Sequence, residues 1–242
     1  MLKRILRLIY PHHCVLCLSA LHPGSHKTQE LCVDCQQTLP LIDHSCYQCG
    51  IPLAHASDKQ LCGQCLQKPP YFDHAISIYH YQNPLVWLIQ QMKFNNKMLF
   101  ARLLAQLFAE QLLLHQTQHR LPLPEAIIPV PLHYKRRYQR GFNQSEELAR
   151  LIARQLDCFL DTQYIERRIN SPQQSGLSAR QRKKNVKGIF RVTNRQHKQY
   201  QHIAVVDDVM STGSTVNELA RLLKKTGIKK VDVWVLARAS HD

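Results

Sequence analysis

Eight of the nine cysteines in this chain fall into four Cys-x-x-Cys pairs, Cys14/Cys17, Cys32/Cys35, Cys46/Cys49 and Cys62/Cys65, and only Cys158 stands apart. Each pair sets two thiolates on one tight turn, which suits one edge of a tetrahedral metal site, and two pairs complete a site of four thiolates. Four pairs therefore imply two zinc ions. Disulfides are the competing use of so many thiols. Nothing resembling a secretory leader opens the sequence, so a reducing compartment is expected, in which the thiols stay free for metal. A thioredoxin-like redox role for one pair would leave the other three unexplained. A zinc held by four cysteines has no open position for water, so both ions are expected to stabilise the fold and not to catalyse. With eight thiolates at hand, the nearby His12, His13, His44 and His55 are expected bystanders. The stretches between the pairs hold 14, 10 and 12 residues. Sequential pairing (first with second, third with fourth) closes the smaller loops at lower entropic cost, and an interleaved cross-brace is the alternative.

The first ten residues carry Leu2, Ile5, Leu6 and Ile9 at helical spacing, with Lys3, Arg4 and Arg7 on the other side and Pro11 as a stop. Packing against the body is the expected role of this short helix, and peripheral contact with an anionic membrane is the alternative. Apolar runs elsewhere are only a few residues long, against the ~20 needed to span a bilayer. A transmembrane protein is excluded on that count. The knuckles end at Pro69-Pro70, which marks a boundary between a zinc-binding head, residues 1–70, and a body, residues 71–242. In the body Ala75, Ile76, Ile78 and Tyr79 read as strand, Leu85 to Met92 and Leu103 to Leu112 as two helical stretches, and Gln116 to Pro124 as a polar linker. Ala126–Val130 reads as a buried strand, followed by a basic loop and a helix from Gln144 to Leu156. Ile203–Val206 is a second apolar strand, Thr215–Thr226 a helix ended by Gly227, and Val231–Leu236 a further strand. Strands alternating with helices predict an α/β fold with a parallel sheet, whose ligands bind beyond the carboxyl ends of the strands.

At that place the strand Ile203–Val206 runs into Asp207-Asp208-Val209-Met210 and then Ser211-Thr212-Gly213-Ser214-Thr215 before a helix. Five small residues at a helix N-terminus can turn backbone N–H groups and hydroxyls onto a phosphate. No lysine follows the glycine, so this is not a nucleoside-triphosphate P-loop. Two adjacent carboxylates in a chain this short of acids need a partner, and the vicinal hydroxyls of a ribose supply one. Phosphate and diol on one loop indicate a ribose 5-phosphate.

Val205 to Thr215 resembles the phosphoribosyl-pyrophosphate (PRPP) motif of type I phosphoribosyltransferases, apolar residues followed by two acids and a Thr-Gly-x-Thr turn. With Pro129-Val130-Pro131-Leu132, Arg136-Arg137, Arg140-Gly141-Phe142-Asn143-Gln144-Ser145, Gln174, Gly176-Leu177-Ser178, Arg180, Arg182, Asn185-Val186, the knuckles and Leu236-Ala237-Arg238, nearly the whole chain resembles the ComF family. The resemblance implies a type I phosphoribosyltransferase-like parallel sheet with flanking helices behind an N-terminal zinc ribbon. It implies a role in natural competence, where imported single-stranded DNA enters the bacterial cytoplasm at the inner membrane, with a helicase-like motor as a partner. Carried over by position, Asp207 and Asp208 would hold the ribose hydroxyls, and Ser211, Thr212, Gly213, Ser214 and Thr215 the 5-phosphate. The segment Pro131 to Arg137 would lie where pyrophosphate is received, with Arg180, Arg182 and Lys184 closing over the same charge. Mg2+ would ride on PRPP itself.

Charge bears on the second ligand. The net charge is +15 overall, of which +2 falls in residues 1–70 and +13 in residues 71–242. Lys135, Arg136, Arg137 and Arg140 interleave with Tyr134, Tyr138 and Phe142, and residues 178–195 hold seven Lys or Arg and no acid. A single pyrophosphate needs two or three cations, so the surplus favours a longer anion, and cations among aromatics suit a single strand. Two functions of different classes follow: a DNA-handling adaptor with a PRPP site, or a working phosphoribosyltransferase in nucleotide or base salvage. A purely structural zinc scaffold would leave the Asp-Asp and Ser/Thr loop unexplained.

Overall fold

The computed structural model describes residues 12–21, 30–55, 59–94, 98–170, 188–193 and 200–239. The expected helix over the first ten residues, and Arg180, Arg182 and Lys184, lie outside the described residues. In the head, β1 (His12–His13) and β2 (Ala20–Leu21) form a small hairpin, followed by α1 (Val33–Gln37) and α2 (Gly63–Gln67). The body begins with β3 (His74–His80), α3 (Leu85–Phe94), α4 (Met98–His119) and β4 (Ala126–Pro129). It continues with α5 (Tyr134–Arg140), α6 (Gln144–Leu156), β5 (Phe159–Leu160), β6 (Ile165–Arg167) and β7 (Phe190–Val192), then β8 (His202–Met210), α7 (Ser214–Lys224) and β9 (Lys230–Arg238).

Five strands form one sheet in the order β3-β9-β8-β4-β5, and every neighbouring pair is parallel. Both faces are covered, as a parallel sheet requires. Successive residues of the central strands point to opposite sides. Ala204, Val206, Trp234 and Leu236 join the core beneath α3, α4 and α6, while Ile203, Val205, Val231, Val233 and Val235 join a second core with α7 and the β6–β7 ribbon. The head is sewn to the edge of the sheet. Ile42 N–H donates to the Ile78 carbonyl at 2.9 Å and His80 N–H to the Pro40 carbonyl at 2.8 Å, so residues 40–42 run antiparallel along β3. Cys14, Leu21, Leu31 and Leu39 are buried in the first core, and Cys46, Cys49 and Cys65 in the second.

Three elements differ from their sequence reading. The basic loop after β4 is largely the helix α5: the His133 ring nitrogen accepts the Lys135 N–H at 3.3 Å, and Gly141 ends the helix at φ 76°. Its Lys, Arg and Gln residues are good helix formers, which the search for apolar periodicity does not register. Helix α4 runs on through Gln116 to His119, because Gln116 is itself buried against the body. Strand β8 continues past Val206 through both aspartates, since Asp207 pairs with Val235, Val209 with Ala237 and Met210 with Arg238.

Candidate functional site

Residues Cys14, Cys17, Cys32 and Cys35 converge, as do Cys46, Cys49, Cys62 and Cys65, and within each set all four sulfurs lie within 4.8 Å of one another. This is the sequential pairing. Across the knuckles, Cys17 Sγ stands 3.7 Å from Cys32 Sγ, and Cys49 Sγ 3.7 Å from Cys62 Sγ. A tetrahedron with ~2.3 Å zinc–sulfur bonds has sulfurs about 3.8 Å apart, so both sets fit Zn2+. Among the described residues, His13, His44 and His55 join neither set, and the His12 side chain lies outside them.

At the carboxyl end of the sheet lies the turn between β8 and α7. Gly213 caps the helix at φ 70°, a left-handed conformation that suits glycine, and contributes no side-chain cap. Helix α7 has no acid in its first turn. The Ser214 N–H reaches the Thr212 hydroxyl at 3.4 Å, and the positive end of the helix dipole at this turn suits an anion. Thr212 and Ser214 bring their hydroxyls to 2.8 Å of each other over this turn. Inside it lies a cavity of about 40 Å³ lined by Asp207 and residues 209–216.

The two aspartates stand at the mouth. Asp207 Oδ1 accepts the Ser145 hydroxyl at 2.8 Å and the Asp208 N–H at 3.0 Å. Asp208, 8% exposed, has Lys93 Nζ 2.5 Å from its Oδ2. Burial, then the neighbouring Asp208 charge, pushes the Asp207 carboxyl up to about 7, against the pull of the Ser145 hydroxyl and the Lys93 ammonium. Arg167 on β6 belongs to the same surroundings. Burial and the Arg136 guanidinium push its pKa down, while Asp207 raises it. Lys93, Ser145 and Arg167 were invisible as site residues in the sequence. They arrive from α3, α6 and β6, and only Ser145 sits in a motif that resembled the family.

Of the basic stretch, α5 presents Lys135 and Arg137 to solvent beside Tyr134 and the 91% exposed Tyr138. Arg137 Nη1 reaches Glu146 at 3.3 Å, and Arg150 pairs with the same carboxylate at 2.9 Å. Arg136 is half-buried, and burial followed by the Arg140 charge lowers its pKa. Phe142 turns inward against the first core, so it is not part of the exposed aromatic set. Among the described residues no helix is long and apolar enough to cross a membrane.

Comparison with known proteins agrees with both halves. A double zinc ribbon domain model matches residues 5–66, and a phosphoribosyl transferase domain model matches residues 143–242. Competence protein F of Haemophilus influenzae is 38% identical over 227 residues, 93% of this chain and 96% of that protein. DNA utilization protein YhgH of Salmonella typhi is 40% identical over 234 residues, 96% of this chain and 99% of that protein. Competence protein ComFC of Streptococcus pneumoniae is 23% identical over 209 residues, 86% of this chain and 87% of that protein. With two cysteine tetrads ahead of a parallel sheet, and similarity running through nearly its full length, the chain belongs to the ComF family of competence and DNA utilization proteins.

Proposed function

We propose that this protein serves natural competence, binding PRPP and handling imported single-stranded DNA at the cytoplasmic side of the inner membrane. The competence role is supported by the relatives named for competence and DNA utilization. PRPP binding is supported above all by one observation: two adjacent, mutually repelling carboxylates, Asp208 buried and Asp207 partly so, stand at the strand end just before a helix N-terminus whose N-cap is a glycine. In this reading Asp207 and Asp208 accept hydrogen bonds from the ribose hydroxyls. The N–H groups and hydroxyls of Ser211, Thr212, Gly213, Ser214 and Thr215 take the 5-phosphate. Arg136 and Arg167 face the pyrophosphate side, with Lys135, Arg137, Arg140, Arg180, Arg182 and Lys184 serving pyrophosphate or DNA. Mg2+ comes with PRPP itself, with few or no protein ligands. DNA contact is supported by the exposed tyrosines and cations of α5, which match the stacking and phosphate needs of a single strand. The head, residues 1–70, and the body, residues 71–242, act as one unit, and a competence helicase is the protein partner.

Calorimetric titration of PRPP with Mg2+ tests the site. Wild type is expected to give a saturable heat and the Asp207→Asn/Asp208→Asn variant none, whereas equal heats would remove the site assignment. Oligonucleotide binding that falls steeply between low and moderate salt is expected of the DNA reading. Transferase chemistry is the second reading, favoured by the Asp207 carboxyl near 7, a range suited to moving a proton at neutral pH. It predicts pyrophosphate release once the right base or amine is supplied, and a broad acceptor panel without turnover would retire it.

A further inference from the structure

We infer that Arg238 is a positioning residue that makes the shape of the phosphate loop depend on the second cysteine tetrad. The inference rests on the reading of residues 207–215 as a sugar-phosphate site. Arg238 ends β9 and is 3% exposed. Its Nε donates to the Cys49 carbonyl at 3.2 Å. Its Nη1 is shared by the carbonyls of Met210 at 3.0 Å, Ala239 at 2.8 Å and Ser211. One planar cation thus grips a zinc knuckle on one side and the phosphate loop on the other.

The geometry of the peptide bond says what this grip does. In a trans peptide the carbonyl and the following N–H point in opposite directions. With the Met210 and Ser211 carbonyls turned to Arg238, the N–H groups of Ser211 and Thr212 are turned away from it, and both residues line the cavity in the loop. That cavity is lined by residues 209–216 and not by Arg238. The guanidinium therefore orients amides that a bound phosphate would use without touching the phosphate.

The knuckle end of the grip is equally defined. Gly50 N–H donates to the Cys46 carbonyl at 2.8 Å, and Cys46 N–H to the Ile51 carbonyl at 2.8 Å, closing the turn that carries Cys49. Gly50, at φ 63°, sits so close to β3 that a Cβ there would stand 2.3 Å from Ser77 Oγ. A cleft of about 560 Å³ lies between Cys49, Gln64, Cys65 and Lys68 on one side and Thr212, Gly213 and Ser214 on the other. Arg238 lines that cleft and spans it. The knuckle thus reaches the loop through the Arg238 guanidinium, beside the packing of Met210 in the same core as Cys46, Cys49 and Cys65. The first tetrad has no such link among the described residues. A lysine keeps the charge but lacks the fork needed to hold both sides.

The test uses the zinc-loaded full chain. PRPP with Mg2+ is titrated calorimetrically into wild type and Arg238→Lys. Zinc loss to a chromogenic chelator is followed with and without PRPP, with Cys17→Ser and Cys62→Ser assigning the phases to the first and second tetrad. Arg238→Lys is expected to retain both ions and bind PRPP about tenfold more weakly, the scale of one charge-assisted grip. By linkage, PRPP is expected to slow zinc loss from the second tetrad severalfold and leave the first unchanged. Wild-type affinity in Arg238→Lys, or protection of both tetrads or of neither, overturns the inference while the sugar-phosphate site stands. If Arg238→Lys does not fold, the contrast between the two zinc phases in wild type decides alone. Absence of PRPP heat in wild type removes the site itself and this coupling with it.

Discussion

The two ends of the central strands each bury acid, with opposite outcomes. At the amino ends of β8 and β9, Asp232 is 2% exposed, with His202 Nε2 2.7 Å and Lys230 Nζ 3.2 Å from its Oδ2. At the carboxyl ends, Asp207 and Asp208 lie side by side with Lys93 as the near cation, and the Asp207 carboxyl is pushed up to about 7. The closed end gives one acid two basic partners. The open end sets two adjacent acids beside Lys93 and Arg167, against a helix start whose N-cap is a glycine. A buried acid is therefore no mark of a site by itself. What marks this one is a pair of adjacent acids at the strand end and the positive end of a helix around one cavity, an arrangement that fits a ligand carrying both hydroxyls and phosphate.

Substitutions at the two ends should part company most clearly in ligand binding. Asp208→Asn is expected to weaken PRPP binding at least about 100-fold, worth ~3 kcal/mol. Asp232→Asn should leave it within twofold, and calorimetry on both variants checks the contrast. Stability should move the other way. Asp232→Asn takes the buried carboxylate away from its partly buried partners His202 and Lys230 and is expected to cost about 2 kcal/mol in urea denaturation. Asp207→Asn removes a repelling buried charge and should add about 1 kcal/mol at pH 8. The sign follows from the raised carboxyl: the penalty is absent below the ordinary carboxylate range and complete above about pH 7. The gain of Asp207→Asn over wild type should accordingly vanish as pH falls through 7 toward 4.

The same titration bears on affinity. Ribose hydroxyls need the ionised carboxylate, so PRPP affinity should fall by up to about tenfold per pH unit below 7 and level off above it, with proton release at pH 6 visible as buffer-dependent heats. The smallest effect is expected on the exposed face of α5, the helix that follows the carboxyl end of β4. Lys135→Ala with Arg137→Ala should weaken oligonucleotide binding severalfold and reduce its salt slope by about 1–2, without changing PRPP affinity. A matched loss of PRPP affinity would instead assign Lys135 and Arg137 to pyrophosphate.

Much of this was legible residue by residue. Paired cysteines announce their chemistry because metal ligation depends on spacing along the chain, and the loop Ser211 to Thr215 announces itself because a phosphate cradle is built from consecutive amides. The strands β8 and β9 were legible for a related reason: their apolar runs are continuous because both faces are covered. Helix α5 escaped, since an exposed helix of cations and tyrosines carries no apolar stripe to betray its period. Short strands such as β5 and β6 escaped because two or three residues hold too little pattern.

Local order along the chain thus determined the metal ligands, the parallel α/β class and the phosphate loop, each set by neighbours within a few residues. Tertiary structure alone decided which knuckles pair, that Lys93, Ser145 and Arg167 meet Asp207 and Asp208, and that Arg238 joins Cys49 to the loop. Those partners are separated by tens to nearly two hundred residues, and no periodicity or spacing carries information across such a gap. Packing of the two cores brings them together, and the resulting distances set the charges that make the site.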